Sequence, residues 1–417
     1  MRVTIELLTK GWSRPFGRTA ITIVPRQTYH VRCFTSDVQV GENSVRVVTD
    51  KSHLKAAHPY DAVLLCSFGG PNAPEDVLPF LRNVTVGKGI PDERLAEVGE
   101  HYGHFGGKSP INEQNLELVA ALQAELAGRG IDLPVVWGNR NWHPYSVDTL
   151  RDAAAFGAKR VLTIVTSAYA SYSGSRQYRE HLAADVAALG DIAPEIDIVR
   201  PFFNDPGFVT ANADAIREAA AKLPGELAGA HIVYVTHSIP DTMQDASAAT
   251  GPGYREQHED VRATIDALLA GATAPTFDSS LAYCSRSGDP RTPWLEPDVN
   301  DHLEALAAAG VTKVVLAPIG FISDHMEVVY DLDTEALETA EELGIHAVRA
   351  DTAGVRAPFV AGLVDLVLER AARERGEDVT SRTLGELAAL PDVAPPGSCR
   401  MRHNEVTGKP VLAGPED

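Results

Sequence analysis

A chain of 417 residues, 44% of them hydrophobic and 23% charged, can bury a large core and is long enough for two domains or one large one. Its 57 Asp and Glu outnumber its 37 Lys and Arg, and the net charge of −20 argues against a general nucleic-acid binder or a polybasic membrane anchor. A mean hydropathy of −0.11, with no apolar run near the roughly 20 residues that a span requires, argues against an integral membrane protein.

The first segment of the chain differs from the rest in its charge balance. Residues 1–46 contain seven Lys or Arg and three acids, whereas the remainder is strongly acidic. This composition is typical of an organelle transit peptide, and also of upstream sequence translated from a start placed too early, with the true beginning near Val48. The body is rich in Ala, Asp and Gly, as in many bacterial proteins, which favours the second interpretation. We predict that residues 1–47 form an extension outside the folded core.

Short apolar runs alternate with longer segments of helical period from Asp61 onward. This alternation is typical of parallel sheets with crossover helices and predicts an α/β fold. Eight candidate strands begin near Asp61, Pro134, Arg160, Glu195, Ala230, Phe277, Lys313 and Ile345. We expect two similar domains, 60–205 and 206–375, each with a four-stranded parallel sheet flanked by helices, and a ligand cleft between them.

The carboxyl-terminal segment loses this periodicity. Residues 391–417 are rich in Pro and polar residues, and no apolar face recurs in them at helix or strand spacing. We predict a disordered tail there.

The four cysteines are separated widely along the chain, at Cys33, Cys66, Cys284 and Cys399. Because none forms a CxxC pair or a dense framework, the sequence indicates neither a disulfide scaffold nor a zinc finger. Free thiols are expected in a reducing compartment, so we predict a cytoplasmic protein.

Two glycine-rich segments in the first half are candidate ligand contacts. The strand DAVLLCSF ends in GGP, which lacks the spacing of a dinucleotide or phosphate loop, so a tight turn is the favoured interpretation. In HYGHFGGKSPINEQN, His101 and His104 lie three residues apart without a third metal ligand, which favours a helix end. Ser109 is expected to cap a helix that runs from 111 to about 126, and its hydroxyl can also face the cleft.

The segment HIVYVTHSIPDTM places His237 at the carboxyl end of an apolar strand, where open parallel sheets bind ligands. A histidine there can accept a proton or ligate a metal at neutral pH, and a hydrogen-bonded structural histidine is the more common alternative. Ser238 follows it without the GxSxG elbow, which argues against a serine nucleophile.

Three carboxylates recur every four residues in APIGFISDHMEVVYDLDTEALETAEELG. Glu327, Asp331 and Glu335, which we call the acidic ladder, are expected on one face of a helix, about 6 Å apart at each step. Like charges in this arrangement destabilise a helix unless they are solvated, paired or bridged by a cation, so the ladder is a candidate path for a divalent metal. A solvated acidic face is the alternative. Glu327 follows a strand end on the same side of the sheet as His237, which favours the metal path.

Six segments resemble motifs of the ferrochelatase family, in the family's order: SFGGP, FGGKSPIN, GNRNWHPY, VTHSIP, SRSGDPRTPWLEPD and GFISDHMEVVYDLDTEA. They extend from about Asp61 to Arg370, and agreement of six separate segments is far more specific than any single glycine loop. The resemblance implies two Rossmann-like domains of the class II chelatase type with a porphyrin cleft between them. It also implies an activity, insertion of iron(II) into a porphyrin by a lyase-class metal chelatase of haem biosynthesis.

The resemblance implies roles for the histidine and the acidic ladder. His237 matches the family's active-site histidine and Glu327 the glutamate across the cleft, the pair that meets iron(II) and the porphyrin nitrogens. Asp331 and Glu335 match an acidic row that leads outward, so all four residues are implied metal contacts.

Porphyrin contacts are implied for three residues of the first half. Ser109 and Tyr178 match positions that contact the porphyrin. Phe68 stands where some members present a tyrosine that can ligate iron axially.

Some related bacterial enzymes also hold a two-iron cluster, with one cysteine in mid-chain and three near the carboxyl end. This chain has Ser175 in SYSGSRQY and only Cys399 in the tail. We therefore predict no iron–sulfur cluster and no permanently bound cofactor, with iron(II) as a substrate.

Two other functions stay open at this level. The chain can insert cobalt or nickel into a related tetrapyrrole, or carry porphyrin or haem without catalysis, because fold alone does not fix function. Among porphyrins we expect coproporphyrin III rather than protoporphyrin IX, because no apolar lip or carboxyl-terminal span for collecting the poorly soluble protoporphyrin at a bilayer is visible. A monomer is expected, without a nucleic-acid partner or a membrane anchor.

Overall fold

The computed structural model of the chain describes residues 56–87, 89–272, 276–287, 291–401 and 410–413. The predicted extension 1–47 lies outside the described residues. Within those described segments, no helix has both the length and the apolar character that a membrane crossing requires.

The first half forms a four-stranded parallel sheet in the order β2-β1-β3-β4. Its strands are β1 (Ala62–Ser67), β2 (Val135–Asn139), β3 (Arg160–Val165) and β4 (Glu195–Ile198). Leu65 of β1 pairs with Trp137 on one side and Ile164 on the other, and all three are buried. Burial of both faces explains why these strands appear in the sequence as continuous apolar runs.

The second half repeats this design in the order β6-β5-β7-β8, again with all pairs parallel. Its strands are β5 (His231–His237), β6 (Asp278–Cys284), β7 (Lys313–Ala317) and β8 (His346–Arg349). All eight strands begin within one residue of the positions expected from the sequence, so the predicted α/β class with two four-stranded parallel sheets is confirmed.

Helices connect the strands of both sheets. Their bounds are α1 Pro74–Val84, α2 Asp92–Gly103, α3 Ile111–Gly128, α4 Ser146–Ala155, α5 Gln177–Leu189, α6 Pro206–Ala220, α7 Asp241–Ala248, α8 Tyr254–Ala270, α9 Val299–Ala308, α10 Met326–Val328, α11 Leu337–Glu342 and α12 Ala357–Glu374. Two π-helices, Tyr172–Arg176 and Val329–Ala336, and a 3₁₀ turn, Gly190–Ile192, interrupt this set. The predicted cap at Ser109 is wrong, because Pro110 occupies the cap position of α3 and no side chain caps it.

One continuous hydrophobic core joins the two halves. It contains residues of both sheets together with Phe208 of α6 and Phe359 of α12. The two helices approach closely where Gly207 faces Gly362, since a Cβ on Gly207 would overlap the backbone of α12. The shared core holds the two sheets in a fixed relation, and the predicted domain division at 205/206 remains a prediction.

The described parts of the carboxyl-terminal segment, 391–401 and 410–413, pack against the rest of the protein. Asp392 forms an ion pair with Arg373 and accepts a hydrogen bond from the Arg200 backbone N–H at 3.1 Å. Cys399 is buried, and the Arg179 guanidinium donates to the Leu412 carbonyl at 2.6 Å. The prediction of a disordered tail is wrong for these residues. They form no helix or strand, and their polar groups instead bind groups of the rest of the protein.

Candidate active site

The second sheet brings the two predicted catalytic residues together at its carboxyl edge. His237 is the last residue of β5, and Glu327 lies in α10, the short helix that follows β7. Nε2 of His237 is 3.7 Å from Oε2 of Glu327, and their side chains are 35% and 55% exposed. Both groups therefore face each other at a solvent-accessible edge, where open α/β sheets bind ligands.

The orientation of the His237 ring is set by the backbone carbonyl of the next residue. Nδ1 forms a hydrogen bond with the carbonyl of Ser238. Because a carbonyl oxygen can only accept, the proton lies on Nδ1, and in the neutral ring Nε2 is left with its lone pair on the side of Glu327. This tautomer presents a proton acceptor or metal ligand to the cleft.

Electrostatics at the pair favour the charged histidine. Burial, the largest single influence, lowers the pKa of His237, and the hydrogen bond and charge of Glu327, the Ser238 carbonyl and the charge of Asp331 together outweigh it. The net effect raises the pKa of His237 above its ordinary value of 6.5. The site therefore holds a proton more readily than an isolated histidine does.

The acidic ladder lies on a helix that changes type. The sequence predicts one regular helix, whereas the structure has α10, then the π-helix Val329–Ala336, then α11. Carboxylates four residues apart remain close to one face, because the i→i+5 hydrogen bonding of a π-helix widens each turn. Asp331 interacts electrostatically with both Glu327 and Glu335.

Asp331, the middle member of the ladder, has a strongly raised pKa. Its carboxylate accepts a hydrogen bond from the hydroxyl of Ser285, which follows β6. Burial raises the pKa of Asp331 to about 7, with the Ser285 hydrogen bond opposing and the charges of Glu327 and Glu335 adding to the rise. Burial also raises the pKa of Glu335. A carboxyl that titrates near neutral pH can exchange a proton or a metal under physiological conditions.

The two candidate histidines of the first half lie beside the same tyrosine ring. The ring of His101, in α2, stacks on Tyr330 of the π-helix with centroids 4.1 Å apart, and His104 lies 6.1 Å from the same ring. The described residues contain no cluster of three or more potential metal ligands of the His, Cys, Asp and Glu types. The interpretation as a helix end is confirmed for His101, which lies in the last turn of α2. The stacking of His101 on Tyr330 joins α2 to the π-helix that carries Asp331 and Glu335.

The predicted porphyrin contacts differ in accessibility. Phe68, just after β1, is 38% exposed, whereas Tyr178 of α5 is only 4% exposed. Ser109 is 2% exposed and packs behind the GGP turn, since a Cβ on Gly70 would lie 2.7 Å from that of Ser109. The structure thus presents the Phe68 ring to solvent, while Ser109 and Tyr178 lie beneath the surface.

Arg140 is a candidate site residue that the sequence interpretation missed. It follows β2 at the carboxyl edge of the first sheet, and its guanidinium lies 4.5 Å from the Tyr178 ring and 6.0 Å from the Phe68 ring. Its Nε atom is buried and has no hydrogen-bond partner among the described residues. The sequence indicates Arg140 only by its position directly after a strand, in GNRNWHPY. Arginines with a purely structural role also occupy such positions. A cation with an unused donor is suited to an anionic ligand.

Ser175 and Cys399, the two residues of this chain at positions where related enzymes hold an iron–sulfur cluster, lie close together. Oγ of Ser175 is 3.8 Å from Sγ of Cys399, and burial raises the pKa of that thiol. A two-iron cluster takes four cysteine ligands, or two of them replaced by histidine. Cys66 and Cys284, the other cysteines in the described segments, are buried at the ends of β1 and β6. Among the residues that the structure describes, the donor set around Cys399 therefore does not fit such a cluster.

The chain is similar in sequence to several known proteins of one family. The family model described as Ferrochelatase matches residues 60–371. A coproporphyrin III ferrochelatase of Streptomyces coelicolor is 53% identical over 367 residues, covering 86% of this chain and 97% of the relative. One of Streptomyces griseus is 52% identical over 87% of this chain and 98% of the relative. A ferrochelatase of Rhodopirellula baltica is 46% identical over 85% and 98%.

Proposed function

The chain belongs to the ferrochelatase family, the lyase-class metal chelatases, and on this basis we propose that it inserts iron(II) into coproporphyrin III in haem biosynthesis. The observation that carries the proposal is the pair His237 and Glu327, 3.7 Å apart at the carboxyl edge of the second sheet and within the matched region. An imidazole lone pair beside a carboxylate is the donor set that this exchange of protons for metal needs.

The reaction exchanges one cation for two protons. Iron(II) sheds its water, two pyrrole N–H protons leave the macrocycle, and the four nitrogens bind the metal without a change of oxidation state. Nε2 of His237, the acceptor in the neutral tautomer, takes one pyrrole proton, and the Glu327 carboxylate stabilises the imidazolium that forms. The second proton leaves through the ionised carboxylates of the ladder. The raised pKa of His237 makes it the stronger base for this step.

The acidic ladder supplies the metal and removes protons. Its carboxylates are hard oxygen ligands suited to an aqueous divalent ion. Because the pKa of Asp331 is about 7, this group alternates between the protonated and ionised forms near neutral pH. We assign to Asp331 and Glu335 the passage of iron(II) inward to Glu327 and of protons outward.

The macrocycle is held from the first half of the protein. The exposed Phe68 ring covers its face and cannot ligate iron axially, because a phenyl group has no ligand atom. Arg140 supplies a cation for propionate groups, and Ser109 and Tyr178 support the surface beneath. Four carboxylates on the substrate require such local partners, because a net charge of −20 repels an anion at long range.

Coproporphyrin III is favoured over protoporphyrin IX by the relatives. The two Streptomyces proteins that exceed 50% identity are both named for the tetracarboxylate porphyrin. We further propose a monomer that works in the cytoplasm, where the three buried thiols of the described segments stay reduced, and that holds no iron–sulfur cluster.

An anaerobic absorbance assay tests the function. Purified protein receives coproporphyrin III or protoporphyrin IX in detergent-free buffer, with iron(II), cobalt(II) or nickel(II) in turn. We expect multiple turnovers with iron(II) and a higher kcat/KM for coproporphyrin III. Turnover limited to one equivalent identifies a carrier, preference for cobalt or nickel identifies another chelatase, and preference for protoporphyrin overturns the substrate while leaving the iron chemistry.

A further inference from the structure

A buried group of three polar side chains lies directly behind His237. Thr236 of β5 and Tyr254 and His258 of α8 are all nearly or fully inaccessible to solvent. The Thr236 hydroxyl is 2.7 Å from the Tyr254 hydroxyl and 2.9 Å from Nε2 of His258. The Tyr254 hydroxyl also donates to the backbone carbonyl of His237 at 3.1 Å. The group therefore ends on the backbone of the proposed catalytic histidine.

The directions of these hydrogen bonds follow from one carbonyl. Nδ1 of His258 lies 2.7 Å from the Tyr254 carbonyl, which can only accept, so the His258 proton lies on Nδ1. Nε2 must then accept, and the Thr236 hydroxyl donates to it. Because burial lowers the pKa of His258 to about 3, this neutral tautomer persists across the functional pH range. With the Thr236 proton directed to His258, the single proton of the Tyr254 hydroxyl is shared between the Thr236 oxygen and the His237 carbonyl.

The Tyr254 hydroxyl takes the place of a missing strand partner. Pairing between β5 and β7 ends at Tyr234 opposite Ala317, so the carbonyl of His237 lies beyond that part of the sheet. On the other side, β6 still pairs as far as Cys284. The end of β5 is thus held by a strand on one side and by a side chain on the other.

Close packing fixes the position of this donor. The His258 ring stacks on Tyr169 with centroids 3.6 Å apart. Gly320 abuts Thr236 so closely that a Cβ there would overlap the threonine side chain. These contacts limit the movement of the Tyr254 hydroxyl against the His237 carbonyl.

We propose that Tyr254 is a positioning residue for metal insertion, whose hydroxyl holds the end of β5 so that the His237 ring faces Glu327. This proposal rests on the proposed function. The His237 ring is fixed through its Nδ1 bond to the next carbonyl, so movement of the strand end rotates the ring away from Glu327. Because Tyr254 is buried, loss of its hydroxyl should act on the rate of insertion rather than on binding.

The test is Tyr254→Phe, which keeps the buried ring and removes only the hydroxyl. We expect kcat for iron insertion to fall about fivefold to tenfold, the effect of a small displacement of a catalytic group. KM for iron and for the porphyrin should stay within about twofold. The matched control is Tyr234→Phe. Tyr234 lies in β5, the strand that carries His237, and its hydroxyl donates a hydrogen bond to Asp266 at 2.8 Å rather than to His237. Both variants should lower the melting temperature, and only Tyr254→Phe should lower kcat.

A second variant separates the hydroxyl from the network as a whole. Thr236→Val removes the hydroxyl shared by Tyr254 and His258 but leaves Tyr254 free to donate to the His237 carbonyl. We expect a lower melting temperature with kcat within about twofold of the wild type. Equal loss of kcat in Thr236→Val and Tyr254→Phe, or unchanged kcat in Tyr254→Phe, overturns the proposal. An inactive wild-type protein overturns the proposed function instead.

Discussion

The acidic ladder should cost the protein stability, and Asp331→Asn measures that cost. The pKa of Asp331 is raised from its ordinary 3.8 to about 7, by burial first and then by the charges of Glu327 and Glu335. At about 1.4 kcal/mol per pH unit, this rise amounts to about 4 kcal/mol against the ionised form in the folded protein. Entry of water and relaxation of the helix reduce the figure, so we expect a gain of about 1 to 3 kcal/mol in the free energy of unfolding at pH 8.

The sign of the pH dependence is fixed by the direction of that pKa. The folded state binds the Asp331 proton more tightly than the unfolded state, so the penalty is absent below about pH 3.8 and complete above about pH 7. Asparagine keeps an acceptor for the Ser285 hydroxyl while removing the charge. Urea unfolding of both proteins at pH 5, 6 and 8, with a chelator present, should show a gain that grows with pH. A gain independent of pH, or an Asn variant less stable at pH 8, would refute the reasoning.

Three further predictions concern the site and the first segment. Glu327→Gln should lower saturated turnover and move the acidic limb of the pH–rate profile to lower pH, because Glu327 raises the pKa of His237 and insertion needs the neutral ring. If the acidic limb measured between pH 5 and 9 does not move, the pairing of Glu327 with His237 is contradicted. Glu335→Gln should raise KM for iron more than it lowers kcat, and unchanged steady-state constants would indicate a solvated acidic face. Deleting residues 1–46 should leave the melting temperature and turnover unchanged, and a large fall in melting temperature would contradict their assignment as an extension.

The sheets could be predicted from the sequence because their signal is local. β1 and β7 are short Val- and Leu-rich runs buried on both faces, and each is followed by a turn and a helical segment. His237 and Glu327 could be paired in advance for the same reason, since parallel strands present their carboxyl ends at one edge.

The features that were missed depend on contacts distant in sequence. The four-residue period of the ladder is compatible with an α-helix, and the π-helix at Val329–Ala336 cannot be distinguished from that period alone. Tyr254 lies in α8 whereas His237 ends β5, and no sequence motif indicates the hydrogen bond between the Tyr254 hydroxyl and the His237 carbonyl. The segment around Cys399 has no periodicity because its order comes from packing against the body.

The most direct test of the account compares wild-type protein with His237→Ala under anaerobic conditions. Both proteins receive coproporphyrin III and an excess of iron(II), and the change in porphyrin absorbance reports binding and insertion separately. The account predicts that the variant still binds the porphyrin, that its insertion falls to the rate without protein, and that the wild type forms more than one product per molecule. Substantial turnover by His237→Ala would contradict the account.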